Sequence, residues 1–348
     1  MIDGIKFVTY DFDIESLIND EKLDFAPEVA PLSYESVVIG YKAKLKDTLY
    51  VKIMIEYLFN GKYSKLTRPK LTVEGSLHKF QHGCNDTDFT LSDVSSTIEN
   101  LCHLLKIEPT KCYIHTIEFG VNIPLSIAPS QVFDLYLMYA QKMFVSFNDI
   151  DANARFNGVR CSLSQFAIKV YDKGREYLRS DNLMRFECKV EKMQFLEKRG
   201  VFIKTLQDLN KVETFNKLSK ILLELDEDIL KINNCDIAKM SPREKNLFKD
   251  GKNFKFWSEL KKGTNKNTTK VNIKRKMKKF KSINELYKND NRHGDTLKLL
   301  EQKCNDLMQK SVPFFTDFKT PHEKENVPLF TLRIKVNKGT FLLLPIHI

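Results

Sequence analysis

The stretch Leu183-Met184-Arg185-Phe186-Glu187-Cys188-Lys189-Val190 alternates apolar and charged side chains from residue 184 onward. Successive side chains of a β-strand point to opposite faces of its sheet. This alternation therefore predicts a strand with one apolar face and one face that carries Arg185, Glu187 and Lys189. Antiparallel sheets with one face against a core have this pattern. We expect a sheet that presents charged side chains on the face opposite its core.

Two other stretches show the same alternation and add polar groups to that face. In Tyr113 to Val121, Glu118 lies opposite the apolar set. In Phe166 to Lys173, the polar set contains Lys169, Tyr171 and Lys173. Both stretches are predicted strands, and the second of them places a tyrosine between two lysines.

A fourth predicted strand, Pro69 to Leu77, directs His78 to its polar side. If the four strands are neighbours in one sheet, they present an imidazole, two carboxylates and a phenol at one place. These side chains are His78, Glu118, Glu187 and Tyr171.

This set of side chains suits chemistry on a phosphodiester. Two carboxylates and an imidazole can hold Mg²⁺ or Mn²⁺ with positions left for phosphate oxygens, so Glu118, Glu187 and His78 are candidate metal ligands. A phenol has a pKa of about 10 and needs activation to attack phosphorus, which Lys169 and Lys173, or the metal, would provide by favouring the phenolate. The alternative is a half-exposed antiparallel sheet whose polar face has no catalytic role.

The order of predicted elements indicates an α+β fold. A central, mostly antiparallel sheet would have helices packed on one face. Strand-like stretches come first, and helix signals are interleaved with them later. The remaining predicted strands are Ile5 to Asp11, Leu49 to Leu58, Cys112 to Ile123, Val159 to Tyr171 and Leu329 to Ile346. The predicted helices are Ser92 to Lys106, Pro129 to Met143, Glu191 to Arg199 and Lys211 to Ile232.

The positive charge of the chain is concentrated in one segment. The formal net charge is +11, and Lys239 to Lys281 contains 16 basic residues and 3 acids. With phenylalanine and tryptophan interleaved, this segment suits a phosphate backbone and stacking on bases. Its interpretation as a solvated, lysine-rich face stays open. The aromatic residues are Phe248, Phe254, Phe256 and Trp257, and the candidate DNA contacts are Lys274, Arg275, Lys276, Lys278 and Lys279.

Other features of the sequence exclude several classes of protein. No apolar stretch approaches the roughly 20 residues of a membrane-spanning helix, and no signal peptide is recognisable. The seven cysteines include no CxxC pair, which argues against a zinc ribbon and a disulfide framework. We expect reduced, mostly buried thiols in a cytoplasmic protein.

Four motifs in order resemble the replication initiator endonucleases of rolling-circle phages and plasmids, including filamentous phages, and the related relaxases. The resemblance covers Leu71 to about Leu206, with a looser opening at Met1-Ile2-Asp3. The first three motifs are a strand and Gly-x-Asn loop over 73–89, the strand Ile114-His115-Thr116-Ile117-Glu118-Phe119, and a Tyr-x-Lys-x-x-Glu motif at Tyr171. The last is the strand Leu183–Val190.

The resemblance implies a metal-dependent enzyme that nicks origin DNA in a bacterial host. Tyr171 would be the nucleophile, Glu118 and Glu187 would hold Mg²⁺ or Mn²⁺, and Lys173 and Arg185 would contact phosphate. The histidine pair of the wider superfamily is absent, and Thr116 replaces a basic residue. The position of His78 comes from strand parity. Lys169 and Lys189, on the same polar face, are further candidate DNA contacts.

We therefore expect a nicking domain over residues 1–206 and a basic, mostly helical accessory region over 207–348. The expected product is a covalent 5′-phosphotyrosine and a free 3′-OH that primes synthesis. Origin DNA is the expected partner, with a host helicase and polymerase as further partners. Two alternatives are a relaxase that mobilises a plasmid and a non-catalytic DNA-binding regulator.

Overall fold

The structure is a computed structural model that describes residues 1–31, 36–59, 62–150, 157–260, 266–309, 334–336 and 340–342. The chain divides into two compact units, Met1–Pro313 and Phe314–Ile348. The described residues of the second unit form one antiparallel strand pair. The predicted final strand, Leu329 to Ile346, falls largely outside the described residues.

The first unit is built on a ten-stranded sheet in which every neighbouring pair of strands is antiparallel. This sheet, with helices, confirms the predicted α+β class. Its strands are β1 (Ile2–Thr9), β2 (Ala26–Pro31), β3 (Ser36–Leu45), β4 (Leu49–Phe59), β5 (Lys62–Ser76), β6 (Tyr113–Pro124), β9 (Val145–Ser146), β10 (Gly158–Ser162), β11 (Phe166–Asp172) and β12 (Leu183–Val190). Their order across the sheet is β2-β3-β4-β5-β1-β6-β12-β11-β10-β9.

Smaller strand pairs and helices complete the list of elements. The short strands are β7 (Tyr136–Tyr139), β8 (Lys142–Met143), β13 (Leu230–Lys231), β14 (Ile334–Val336) and β15 (Thr340–Leu342). The helices are α1 (Ile14–Ile18), α2 (Leu77–His82), α3 (Leu91–Leu105), α4 (Ser130–Phe133), α5 (Phe147–Ile150), α6 (Lys173–Glu176), α7 (Gln194–Glu197), α8 (Val212–Asp228), α9 (Pro242–Gly251), α10 (Phe254–Leu260), α11 (Lys266–Leu286) and α12 (Arg292–Gln309).

The apolar sets of the central strands form the core predicted from their alternation. Phe119 of β6, Phe186 of β12 and Val170 of β11 are all at most 1% exposed and belong to one cluster with residues of α3, α8 and α12. Helix α3 begins with a capping box in which Thr90 and Asp93 bond each other's backbone. Among the described residues, no helix combines the length and hydropathy needed to cross a membrane.

A second, smaller core lies under the basic segment. It contains Phe248, Trp257 and Phe280, together with Met138 of β7 and Leu230 of β13. Phe248 and Trp257 are each 1% exposed, so the prediction that these rings stack on bases is wrong. The apolar rings fold α9, α10 and α11 onto each other, because burying an aromatic ring is more favourable than exposing it to water.

Several predicted elements differ from the observed ones. The helix predicted from Pro129 to Met143 is the single turn α4 followed by β7 and β8. Ala140 and Gln141 have positive φ values of 43° and 63° and form the turn between these strands, which ends any helix there. The strand predicted from Val159 to Tyr171 is the hairpin β10–β11. Helices α8 and α12, from the predicted accessory region, pack in the same core as the sheet.

Candidate functional site

Three carboxylates meet on the polar face of the sheet. Asp3, Glu118 and Glu187 come from the adjacent strands β1, β6 and β12, and each offers an oxygen within 4.8 Å of the other two. In the described part of the chain they are the one such group of three or more potential metal ligands. Asp3 and Glu187 are 3% and 1% exposed, so the charges lie in the protein and not on its surface.

Glycines on neighbouring strands make room for the site side chains. Gly120 pairs with Glu187 in the sheet, and a Cβ atom there would lie 2.4 Å from the Glu187 Cβ. Gly158 pairs with Tyr171, and its Cβ would lie 2.3 Å from the Tyr171 Cβ. Any larger residue at either glycine would force these side chains out of position.

Two cations neutralise part of this charge. Arg185 is 2% exposed and donates from Nε to Glu187 Oε2 at 2.5 Å and from Nη2 to Asp3 Oδ2 at 3.0 Å. Lys169 places Nζ 2.7 Å from Glu187 Oε1 and 2.9 Å from Glu118 Oε2. Both side chains therefore pair with the carboxylates, and their predicted contact with DNA stays a prediction.

The two glutamates differ in acidity. Burial and the nearby charge of Glu187 raise the pKa of Glu118 from 4.5 to about 7. Burial alone would also raise the pKa of Glu187, but Lys169 and Arg185 hold it well below its usual range. Glu187 is thus charged at any pH of interest, whereas Glu118 exchanges its proton near neutrality.

Tyr171 lies against this cluster as predicted. Its hydroxyl donates to Glu187 Oε2 at 3.2 Å, and its side chain is 6% exposed. Burial and the charge of Glu187 raise the pKa of this phenol well above its usual value. The phenol is therefore protonated in the structure, and its ionisation needs additional positive charge nearby.

Lys173 belongs to a buried network beside the tyrosine. Its Nζ donates to Asn85 Oδ1 at 2.6 Å and to Glu176 Oε2 at 2.7 Å, and it lies 5.5 Å from the centre of the Tyr171 ring. Asn85 in turn donates from Nδ2 to Asp3 Oδ2 at 2.5 Å. Lys173 is fully buried, and its ammonium holds Asn85 in place beside the pocket.

A pocket of about 550 Å³ lies over the cluster. Its lining combines the carboxylates with basic and phenolic groups and includes Lys189, whose side chain is 36% exposed. Lys189 thus keeps the position expected of a DNA contact. The charged and phenolic lining residues on strands β1, β6 and β10 to β12 are Asp3, Glu118, Arg160, Lys169, Tyr171, Glu187 and Lys189.

His78 is not in the predicted place. Strand β5 ends at Ser76, which caps α2, so the strand parity used for His78 does not apply. Its ring stacks on Phe89 with centroids 4.5 Å apart, and its Nε2 lies 3.1 Å from Thr87 Oγ1. Burial lowers its pKa to about 3, and the imidazole stays outside the carboxylate group.

The basic helix α11 carries the predicted cations on its surface. Lys274, Arg275, Lys278 and Lys279 are exposed, whereas Lys276 is half-buried with its Nζ 5.1 Å from the centre of the Phe256 ring. This arrangement leaves most of the predicted DNA contacts accessible to a partner.

Asp3 and Asn85 are site residues that the sequence analysis placed in motifs without giving them a role. Asp3 lies between Ile2 and Gly4 near the start of β1, and a charged residue at a position that becomes buried is the available signal. Asn85 follows Gly83 in the Gly-x-Asn loop, where Gly83 adopts a φ of +76° and ends α2. The loop turns Asn85 into the protein, where it contacts Asp3 and Lys173.

Comparison with known proteins adds little to this geometry. No family model matches the sequence, and no curated protein matches it. Among solved structures, a rolling circle replication initiator protein from Geobacillus stearothermophilus aligns with 87% of this chain and 96% of its own, with a TM-score of 0.40 and 10% sequence identity. A similarity of this size leaves the function to be argued from the side chains.

Proposed function

We propose that this protein is a metal-dependent endonuclease that nicks and closes one DNA strand to initiate rolling-circle replication, with Tyr171 as the nucleophile. The observation that carries the proposal is the hydroxyl of Tyr171, 3.2 Å from Glu187 Oε2, beside three carboxylates within 4.8 Å. A phenol beside a cation-binding group is the arrangement that covalent attack on a phosphodiester needs.

Asp3, Glu118 and Glu187 fit a hard divalent cation. Their donor atoms are all carboxylate oxygens, which Mg²⁺ and Mn²⁺ prefer. When all three carboxylates are ionised, the positive charge of Arg185 neutralises one of them, and two negative charges remain. When bound, the ion would polarise the scissile phosphate and stabilise the charge that develops on it. His78 is left out of this ligand set.

The chain's own groups hold and direct the nucleophile. Tyr171 Oη forms a bond to phosphorus, and the bond from phosphorus to the 3′ oxygen breaks. The phenol proton leaves to water in the pocket, which Tyr171 lines, and the 3′ oxygen takes up a proton from water, so the proton count is unchanged. Lys173 lies 5.5 Å from the ring and favours the phenolate by its charge. The 5′ phosphate stays on Tyr171 until a 3′-OH reverses the reaction and closes the strand.

Lys189 and the exposed cations of α11 would bind the DNA backbone. Lys189 lines the pocket opposite Glu118 in the sheet and suits a phosphate next to the scissile one. Helix α11 suits the flanking DNA, since its exposed cations would release counterions from phosphates on binding. The same cations favour the second candidate function, a DNA-binding regulator without catalysis, which would require neither Tyr171 nor a metal.

The test is covalent capture of DNA. The full chain is incubated with Mn²⁺ and a pool of single-stranded oligonucleotides of random sequence, denatured, and examined by mass spectrometry for attached nucleotide. We expect a metal-dependent adduct on a Tyr171 peptide. DNA binding without any adduct, with or without metal, would favour the regulator. An adduct on Tyr177 or Tyr139 would show that the nucleophile is misassigned. Replication and plasmid mobilisation share this chemistry.

A further inference from the structure

Lys169 is in contact with two of the three carboxylates of the site. It lies beside Glu187 in the β11–β12 ladder, and its ammonium bridges Glu187 Oε1 at 2.7 Å and Glu118 Oε2 at 2.9 Å. Its side chain is 16% exposed and lines the pocket. This cation therefore stands at the carboxylate oxygens that face the pocket.

Two other oxygens of the cluster accept hydrogen bonds from buried side chains. Glu187 Oε2 accepts from Arg185 and Tyr171, and Asp3 Oδ2 accepts from Arg185 and Asn85. Arg185 is 2% exposed and also bonds Asn122, so it is fixed on three sides. Lys169 is the cation of the cluster with a route to the open pocket, and a lysine has a flexible four-carbon stem on which to move.

A divalent ion and the Lys169 ammonium cannot both use these oxygens at low cost. An ion bound to a carboxylate oxygen at about 2.1 Å would lie within roughly 5 Å of an ammonium bonded to the same oxygen. Two such charges repel strongly in a largely buried site, because the effective dielectric constant there is well below that of water. One divalent ion neutralises the two negative charges that remain after Arg185, whereas the Lys169 ammonium neutralises only one of them.

We propose that Lys169 is the built-in counter-ion of this site, which competes with a divalent cation for Glu118 and Glu187 and thereby weakens and sets the metal affinity. The inference rests on the proposed function, because it assumes that the three carboxylates hold a metal. In the metal-bound protein the ammonium leaves the carboxylates for the open pocket. Lys169 is thus a positioning residue whose occupancy keeps the carboxylates together before the ion binds.

The test measures Mn²⁺ affinity by titration calorimetry in the absence of DNA. The variants are Lys169→Met, which removes the competing charge and keeps the length of the stem, and the control Lys79→Met. Lys79 lines the same pocket, but its Nζ lies 3.8 Å from Glu176 Oε1 and contacts none of the three carboxylates. We expect Lys169→Met to bind Mn²⁺ at least tenfold more tightly than the parent, and Lys79→Met to change the affinity by less than about threefold.

Thermal melting with and without Mn²⁺ separates this role from a purely structural one. Lys169→Met should melt below the parent in chelator and gain more from Mn²⁺ than the parent gains. If the methionine variant does not fold, Lys169→Gln, which keeps a hydrogen-bond donor, replaces it in both measurements. A variant that loses equal stability with and without Mn²⁺, or whose affinity is unchanged or weaker, overturns the inference.

The outcomes also distinguish this inference from the proposed function. If the parent binds Mn²⁺ and the Lys169 variants gain no affinity, the competition is refuted and the metal site stands. If the parent and all variants bind no Mn²⁺, both the metal site and the competition are refuted.

Discussion

The carboxylate site and helix α11 both carry concentrated charge, and they use it in opposite ways. In the site, Asp3, Arg185 and Glu187 are buried, Lys169 and Glu118 are half-buried, and their charged groups are bonded to each other at 2.5 to 3.0 Å. On α11, cations such as Lys274 and Lys278 are exposed to water. A buried charge that loses its partner destabilises the fold strongly, because it stays out of water without compensation. An exposed charge is solvated by water, so its loss changes the free energy of unfolding little. We expect a single substitution in the site to have a large effect on activity or stability, and a single substitution on α11 to have a small effect on DNA affinity.

The largest effect is expected for Tyr171→Phe. The change removes one oxygen, so adduct formation should fall at least about a thousandfold while DNA affinity and folding stay near the parental values. The measurement is the yield of covalent protein–DNA adduct on denaturing gels. Tyr139→Phe, a buried tyrosine of β7 on the apolar side, is the control and should keep the parental yield. Parental adduct in Tyr171→Phe would refute the assignment.

Glu187→Gln should break the buried charge network itself. It leaves Arg185 and Lys169 without their shared partner, and we expect a loss of about 3 kcal/mol in the free energy of unfolding together with the loss of Mn²⁺ binding. Urea unfolding measures the first and calorimetry the second. The matched control is Glu191→Gln, whose carboxylate is 40% exposed. It should lie within about 0.5 kcal/mol of the parent. Equal effects of the two changes would remove the contrast between buried and exposed charge.

Glu118 should make the metal-free protein less stable as the pH rises. Its pKa is raised from 4.5 to about 7, so the folded state holds this proton more tightly than the unfolded state. Stability is therefore lost as the pH rises from about 4.5 to 7, and Glu187, with its lowered pKa, does not titrate in that window. Melting temperatures in chelator between pH 5 and 8 should fall for the parent and fall less for Glu118→Gln. Parallel curves would contradict this assignment.

The smallest effect per residue is expected on α11. Each phosphate contact that is removed should lower the slope of log affinity against log salt by about 0.7 to 0.9. Neutralising Lys274, Arg275, Lys276, Lys278 and Lys279 together should flatten it by up to about 3.5 to 4.5, with little change in the free energy of unfolding. Filter binding at several salt concentrations measures the slope. A parental slope would identify this helix as a solvated face.

The success and the failure of the sequence predictions have a common physical origin. Strand β12 was predicted with its observed bounds, and Glu118, Tyr171 and Glu187 were predicted to lie together, because side-chain alternation is local and survives folding. The predicted position of His78 was wrong because Ser76 caps helix α2, so the strand and its side-chain alternation end before residue 78. The prediction that Phe248 and Trp257 stack on bases was wrong because local sequence patterns do not show which helices pack together.

The sequence by itself determined the strands, the polar face and the residues of that face that belong together, since each follows from spacing along a single strand. Only the tertiary structure decided that Asp3 joins Glu118 and Glu187, and that Arg185 and Lys169 contact these carboxylates. These pairings join strands β1, β6, β11 and β12, whose order in the sheet differs from their order in the chain. Local alternation fixes which face a side chain takes, whereas long-range strand pairing decides which charges it meets there.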